Sequence, residues 1–82
     1  MHLKRRREIA LLLFRADLRR SGGRSLTSLA IDAALNYDRL TGRAPSIAAS
    51  LAAELRTLLP DEEHMPEAAE LHDFFRDMAR RP

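Results

Sequence analysis

Glycine and proline break this chain at three places, and each interval between the breaks has a helical rather than a strand period. Ser21-Gly22-Gly23, Thr41-Gly42 and the stretch from Pro60 to Pro66 are the stop signals. Glycine takes the left-handed conformation that ends helices, and proline cannot sit in a helix interior. The first interval predicts a helix from Lys4 to Arg20, rich in strong helix formers. The second opens at Ser25 or Thr27, either of which can cap free helix amides, and runs to Thr41. The third opens at Pro45-Ser46 and closes before Pro60, and the fourth spans Pro66 to Arg80. No alternating pattern or repeat appears, so the fold class is all-α: a compact bundle of about four helices forming a single domain, residues 1–82.

The apolar positions give each expected helix a packing face. Ile9, Leu12, Leu13 and Ala16 share one side of the first helix, while Leu11, Phe14 and Leu18 share the opposite side. A helix apolar on two sides is either sandwiched inside its domain or lends one side to a partner, and sandwiching is the simpler arrangement for a four-helix protein. Leu26, Leu29, Ala30, Ala33, Tyr37 and Leu40 keep the helical period in the second segment. Ile47, Leu51, Leu55 and Leu58 form the stripe of the third, with Ala48, Ala49, Ala52 and Ala53 allowing close approach. In the fourth, Ala68, Leu71, Phe75 and Met78 line one face, and Asp61, Glu62 and Glu63 read as caps at its start.

At 82 residues without cysteine, neither disulfides nor thiolate metal sites can staple this small core. A partner chain, including a second copy in a homodimer, would add stability. No apolar run reaches the length of a membrane span, and "MHLKRRREIALLLFRADL" lacks the cleavage site of a signal peptide, so the expected location is cytoplasmic. The net charge of +2 conceals an asymmetry: residues 1–24 carry +6 and residues 25–82 carry −4. Either the basic helix and the acidic segments attract each other within the fold, or the basic face meets nucleic acid or an acidic partner.

Catalytic chemistry finds little support. His64 and His72 lie near several carboxylates, but their spacing matches no metal-binding motif. Ser21-Gly22-Gly23 follows no strand and lacks the lysine of a phosphate loop, and the serines near Ala49 have no histidine base in view. No enzyme activity, cofactor or metal is expected.

The stretch "SLTSLAIDAALNYDRLTGR" also fits a helix-turn-helix. Ala30 falls where that motif needs a small residue, Ala34, Leu35 and Asn36 fall at its turn, and Leu40 at the inward position of its second helix. Ala34 replaces the frequent turn glycine. In that reading Tyr37, Arg39, Thr41 and Arg43 are the exposed candidates for reading DNA. A straight amphipathic helix from Thr27 to Thr41 accounts for the same periodicity.

Residues 5–30, "RRREIALLLFRADLRRSGGRSLTSLA", set an arginine-rich amphipathic helix before a glycine turn and a serine-capped helix. This succession resembles the helical domain of FseA-type transcriptional activators of rhizobial conjugative elements, a domain that occurs almost alone in the QseM-type antiactivators. Arg15, Ala16, Arg20, Gly23, Ser25 and Ala30 carry the likeness, with Leu29 in place of an isoleucine, over about a third of the chain. Leu26 stands where the family has an aromatic, and its later Phe-Gly is absent.

The resemblance implies a transcription-regulatory protein of quorum-sensing or conjugative-transfer type, with a helix-turn-helix-like core, that binds and inhibits a transcriptional activator. The residues agree with such a role. "NYDRLTGR" has two arginines offset by Asp38, which is poor in cations for a duplex reader, since phosphate contacts supply most DNA affinity. The arginines instead sit on helix one beside Leu11, Phe14, Arg15 and Leu18, the candidate protein interface. The alternative is a dimeric DNA-binding repressor using Arg39 and Arg43. A structural partner module, such as a toxin–antitoxin or phage component, is a third class.

Overall fold

A computed structural model describes residues 1–80. The order is α1 (Leu3–Arg19), α2 (Leu26–Leu35), α3 (Tyr37–Leu40), α4 (Ala44–Leu58) and α5 (Ala68–Ala79), with no strand among the described residues. The fold is all-α, made of four long helices and the single turn α3. The expected helix boundaries hold to within two residues.

Each boundary has a local cause. Arg20 leaves α1 in an extended conformation, and Gly22 (φ 97°) and Gly23 (φ 81°) then reverse the chain through backbone angles that L-residues resist. Ser25, rather than Thr27, caps α2: its Oγ accepts from the Ser28 N–H at 3.1 Å. Pro45 sits in the first turn of α4, where its missing N–H costs no helical bond. The fourth expected helix begins later than its proline, because Pro66 is buried in the linker and Glu67 is the N-cap of α5. Asp61, Glu62 and Glu63 therefore lie well before that helix and do not cap it. Glu62 instead holds Arg15 of α1 at 3.2 Å.

The straight helix from Thr27 to Thr41 does not form. At Asn36 (φ −109°, ψ 21°) the chain leaves helical geometry for one residue. The Asn36 backbone N–H donates to Asp32 O at 3.0 Å and its side-chain Nδ2 donates to the same oxygen at 2.9 Å. This is the side-chain competition with helical bonding that asparagine favours. A break thus falls where a helix-turn-helix would need one, but α3 that follows is only four residues long.

The core lies between the inner faces of the four long helices. Ile9, Leu12, Leu13 and Ala16 of α1 meet Leu26, Ala30 and Ala33 of α2, Leu51, Ala52 and Leu55 of α4, and Leu71, Phe74 and Phe75 of α5. Ala48 and Ala52 are fully enclosed, so α4 packs backbone-close to its neighbours as small residues permit. Two stripe assignments change. Met78 is exposed and Phe74 takes its place in the core, its ring edge-on to Phe75 at 6.4 Å. Leu59, just past α4, is buried while Leu58 is only half-buried, because the chain turns at Leu59 and directs it inward.

α1 is not sandwiched. Its Ile9–Ala16 side is covered, but Leu11, Phe14 and Leu18 are 61, 57 and 72 % exposed. The inner side packs toward α2, α4 and α5, and among the described residues no element lies over the other.

Candidate functional site

The outer face of α1 is held in place by contacts made on the sides and back of the helix. Arg5 grips Glu70 of α5 through two parallel hydrogen bonds, Nε to Oε2 at 2.6 Å and Nη2 to Oε1 at 2.8 Å, and also donates to His64 O at 2.9 Å. The Arg5 guanidinium holds the Glu70 carboxyl below the usual carboxylate range, with burial opposing the effect in part. The same pairing raises the Arg5 guanidinium above its ordinary value, against a partial desolvation cost. Arg6 reaches Asp77 at 3.1 Å. At the other end Arg19 donates to Leu58 O at 3.2 Å and Arg20 pairs with Glu54 of α4 at 3.2 Å. Half of the six cations of α1, Arg5, Arg6 and Arg15, are thus matched by acidic groups of α5 and the linker, and Arg20 just past its end by Glu54 of α4.

Asp17 fixes the corner between α1 and α2. Its carboxylate accepts from the Ser25 hydroxyl at 2.7 Å, the Leu26 N–H at 2.6 Å and the Thr27 N–H at 3.1 Å. These are amides of the α2 start, which have no partner within their own helix, and the negative charge also suits the positive end of α2. Partial burial pushes the Asp17 carboxyl up, but the bonds from Ser25, Leu26 and Thr27 outweigh it and hold the group below its usual value. Arg24 pairs with Asp32 on the same helix.

The four interface candidates lie together on one side of α1. Leu11, Phe14 and Leu18 form an open apolar stripe, and Arg15 beside them is half exposed and bonded to Glu62. The four DNA-reading candidates do not form a comparable surface. Tyr37 is not an exposed reader: it is half-buried, packs on the core, and its hydroxyl lies 3.0 Å from His72 Nε2. Thr41 Oγ1 donates to Tyr37 O at 2.8 Å, a bond within its own turn. Arg39 and Arg43 are exposed and make no side-chain bond or ion pair among the described residues. Leu40 is half-buried, and Leu35 at the break is 78 % exposed.

A cleft of about 430 Å³ opens between the start of α2 and α4, floored by Leu26, Leu29, Ile47 and Leu51 and edged by Arg43, Ser46 and Ser50. Among the described residues no group of three or more His, Asp or Glu side chains is placed to hold a metal ion. His64 lies in the linker, and His72 is engaged with Tyr37. No described helix is long and apolar enough to cross a membrane. The Asp17 cap and the Arg5–Glu70 fork were not singled out from the sequence. Asp17 follows Arg15 as an ordinary solvated charge would, and Glu70 lies 65 residues from its partner. No protein-family model, curated protein or solved structure matches this chain.

Proposed function

We propose that this protein regulates transcription by docking on a transcriptional activator through the outer face of α1 and inhibiting it. The observation that carries the docking is the exposure of Leu11, Phe14 and Leu18 in one line on a helix otherwise anchored by ion pairs. Three large apolar side chains at helical spacing cost solubility unless something covers them, and a partner-facing patch is their usual role. The activator as partner rests on the likeness of residues 5–30 to the antiactivators. The engaged state of Tyr37 and the one-turn length of α3 leave little surface for reading bases, which also favours a protein partner.

The direct test is co-expression with a LuxR-type activator and its reporter. Wild-type protein should lower reporter output and co-purify with the activator, and Phe14→Ala should restore output. Direct DNA binding as a dimeric repressor is the second reading, favoured by Arg39 and Arg43, whose side chains have no partner among the described residues. It requires a salt-dependent gel shift that Arg39→Ala/Arg43→Ala abolishes. Inhibition surviving that double substitution, with no gel shift, supports the docking reading. Its loss, together with a shift by the wild type, overturns it.

A further inference from the structure

The outer face of α1 is a seam whose two halves differ in chemistry. Lys4, Arg7, Leu11, Phe14 and Leu18 follow one another in alternating three- and four-residue steps, the spacing by which one helix meets another along a coiled-coil seam. The seam spans roughly 21 Å at 1.5 Å per residue. Its first half is cationic and its second half apolar.

The cationic half is distinguished from the rest of the helix by its lack of partners. Arg5, Arg6, Arg15 and Arg20 are each engaged by a carboxylate of this chain. Lys4 and Arg7, on the seam itself, are exposed, and their side chains make no bond or ion pair among the described residues. The apolar half exposes on the order of 400 Å² over its three side chains, taking about 200 Å² for each when bare. A standard interface takes about 800 Å² per partner, a little over half of it apolar, so this half supplies nearly the whole apolar share.

Resting on the docking reading above, we infer that this seam receives an amphipathic helix of the partner protein, with acidic residues opposite Lys4 and Arg7 and apolar residues opposite Leu11, Phe14 and Leu18. A second copy of this chain is a poor occupant on charge grounds. Parallel pairing sets Lys4 and Arg7 against themselves. Antiparallel pairing that matches the apolar residues about Phe14 carries them past the end of the other copy's α1, against the already paired Arg20–Glu54 and Arg24–Asp32 groups. Parallel pairing brings like charges together and antiparallel pairing offers Lys4 and Arg7 only neutralised pairs, whereas an acidic half-helix complements them. A membrane surface is also disfavoured, because Glu8 flanks the seam and the flanking Arg15 is held by Glu62, whereas an interfacial helix carries free cations along both edges of its apolar face.

The test uses the full-length protein and two labelled helical peptides of three heptads. One carries leucine at the seam positions of one half and glutamate at those of the other, and the second replaces each glutamate by lysine. Fluorescence anisotropy at physiological salt should show the glutamate peptide binding at least ~10-fold tighter. The variant Lys4→Glu/Arg7→Glu should reverse that preference. Phe14→Ala should weaken the glutamate peptide roughly 30-fold with unchanged helical circular dichroism. Equal binding of the two peptides, or none, overturns the inference. So does wild-type binding to anionic phosphatidylserine vesicles that Phe14→Ala abolishes, or a sedimentation-detected dimer lost in the same variant. The two readings fail separately. If the peptides do not bind but Phe14→Ala still relieves activator inhibition, the docking reading stands and the acidic-helix inference falls. If the glutamate peptide binds as described but Phe14→Ala still inhibits the activator, the inference stands and the functional reading falls.

Discussion

Replacing Asp17 by Ala should destabilise the protein by about 2 kcal/mol, more than a typical helix cap. The carboxylate satisfies two backbone amides of α2 and one hydroxyl, at 2.6, 3.1 and 2.7 Å. Charge-assisted bonds are each worth about 1.5–3 kcal/mol when fully desolvated, but Asp17 is only half-buried and water can replace part of what is lost. The Leu26 side is the exception, since that residue is almost wholly enclosed and its amide is left without an acceptor. For a domain of this size 2 kcal/mol corresponds to a fall in Tm of roughly 10 °C. Thermal unfolding followed by circular dichroism measures it.

The effect carries a pH signature. The folded state holds the Asp17 carboxyl below its ordinary 3.8. Its contribution is therefore complete above that value and is lost as the pH falls through the lower folded-state value. The gap in Tm between wild type and Asp17→Ala should be constant near neutrality and shrink at pH values below 3.8. Comparing the two proteins at each pH separates this contribution from that of Glu70, which both retain. Asp17→Asn should fall between them, keeping an amide oxygen for one backbone N–H but losing the charge. A Tm for Asp17→Ala within about 2 °C of wild type, or a gap unchanged down to pH 2, would refute the reasoning.

Glu70→Gln should cost about 1 kcal/mol by removing the charge from its fork with Arg5, a modest value because both groups remain partly solvated; chemical denaturation would read it as a lower midpoint with unchanged slope. Phe14→Ala should leave Tm within about 2 °C of wild type, whereas Phe75→Ala, which empties a fully buried site, should cost about 3–5 kcal/mol and lower Tm by more than about 10 °C. Gly22→Ala should destabilise by about 1 kcal/mol through its φ of 97° alone, since nothing lies within 4 Å of an added Cβ, and a neutral result in thermal unfolding would show that the turn can rearrange.

The helices and their ends were legible in the sequence because the forces that set them are local. Ser25 caps amides three residues on, Gly22 and Gly23 supply backbone angles at their own positions, and Pro45 lies in the first turn of the helix it opens. The period of Ile9, Leu12, Leu13 and Ala16 likewise names a packing face without any knowledge of what it packs against. The break at Asn36 was less legible, since one residue's departure from helical geometry barely disturbs the apolar period on either side.

Only the tertiary structure decided which of two equally apolar faces of α1 is covered. Periodicity is the same for a buried stripe and a bare one, and coverage depends on where α2, α4 and α5 come to rest. It likewise decided that Arg5, Arg6 and Arg20 are matched by Glu70, Asp77 and Glu54 while Lys4 and Arg7 have no partner among the described residues, because such pairs join residues far apart in the chain. The same holds for Tyr37, which has the residue type of an exposed reader but is drawn against His72 across the bundle. A sequence states what each side chain can do. Its neighbours, set by long-range packing that no local window contains, determine what remains for it to do at the surface.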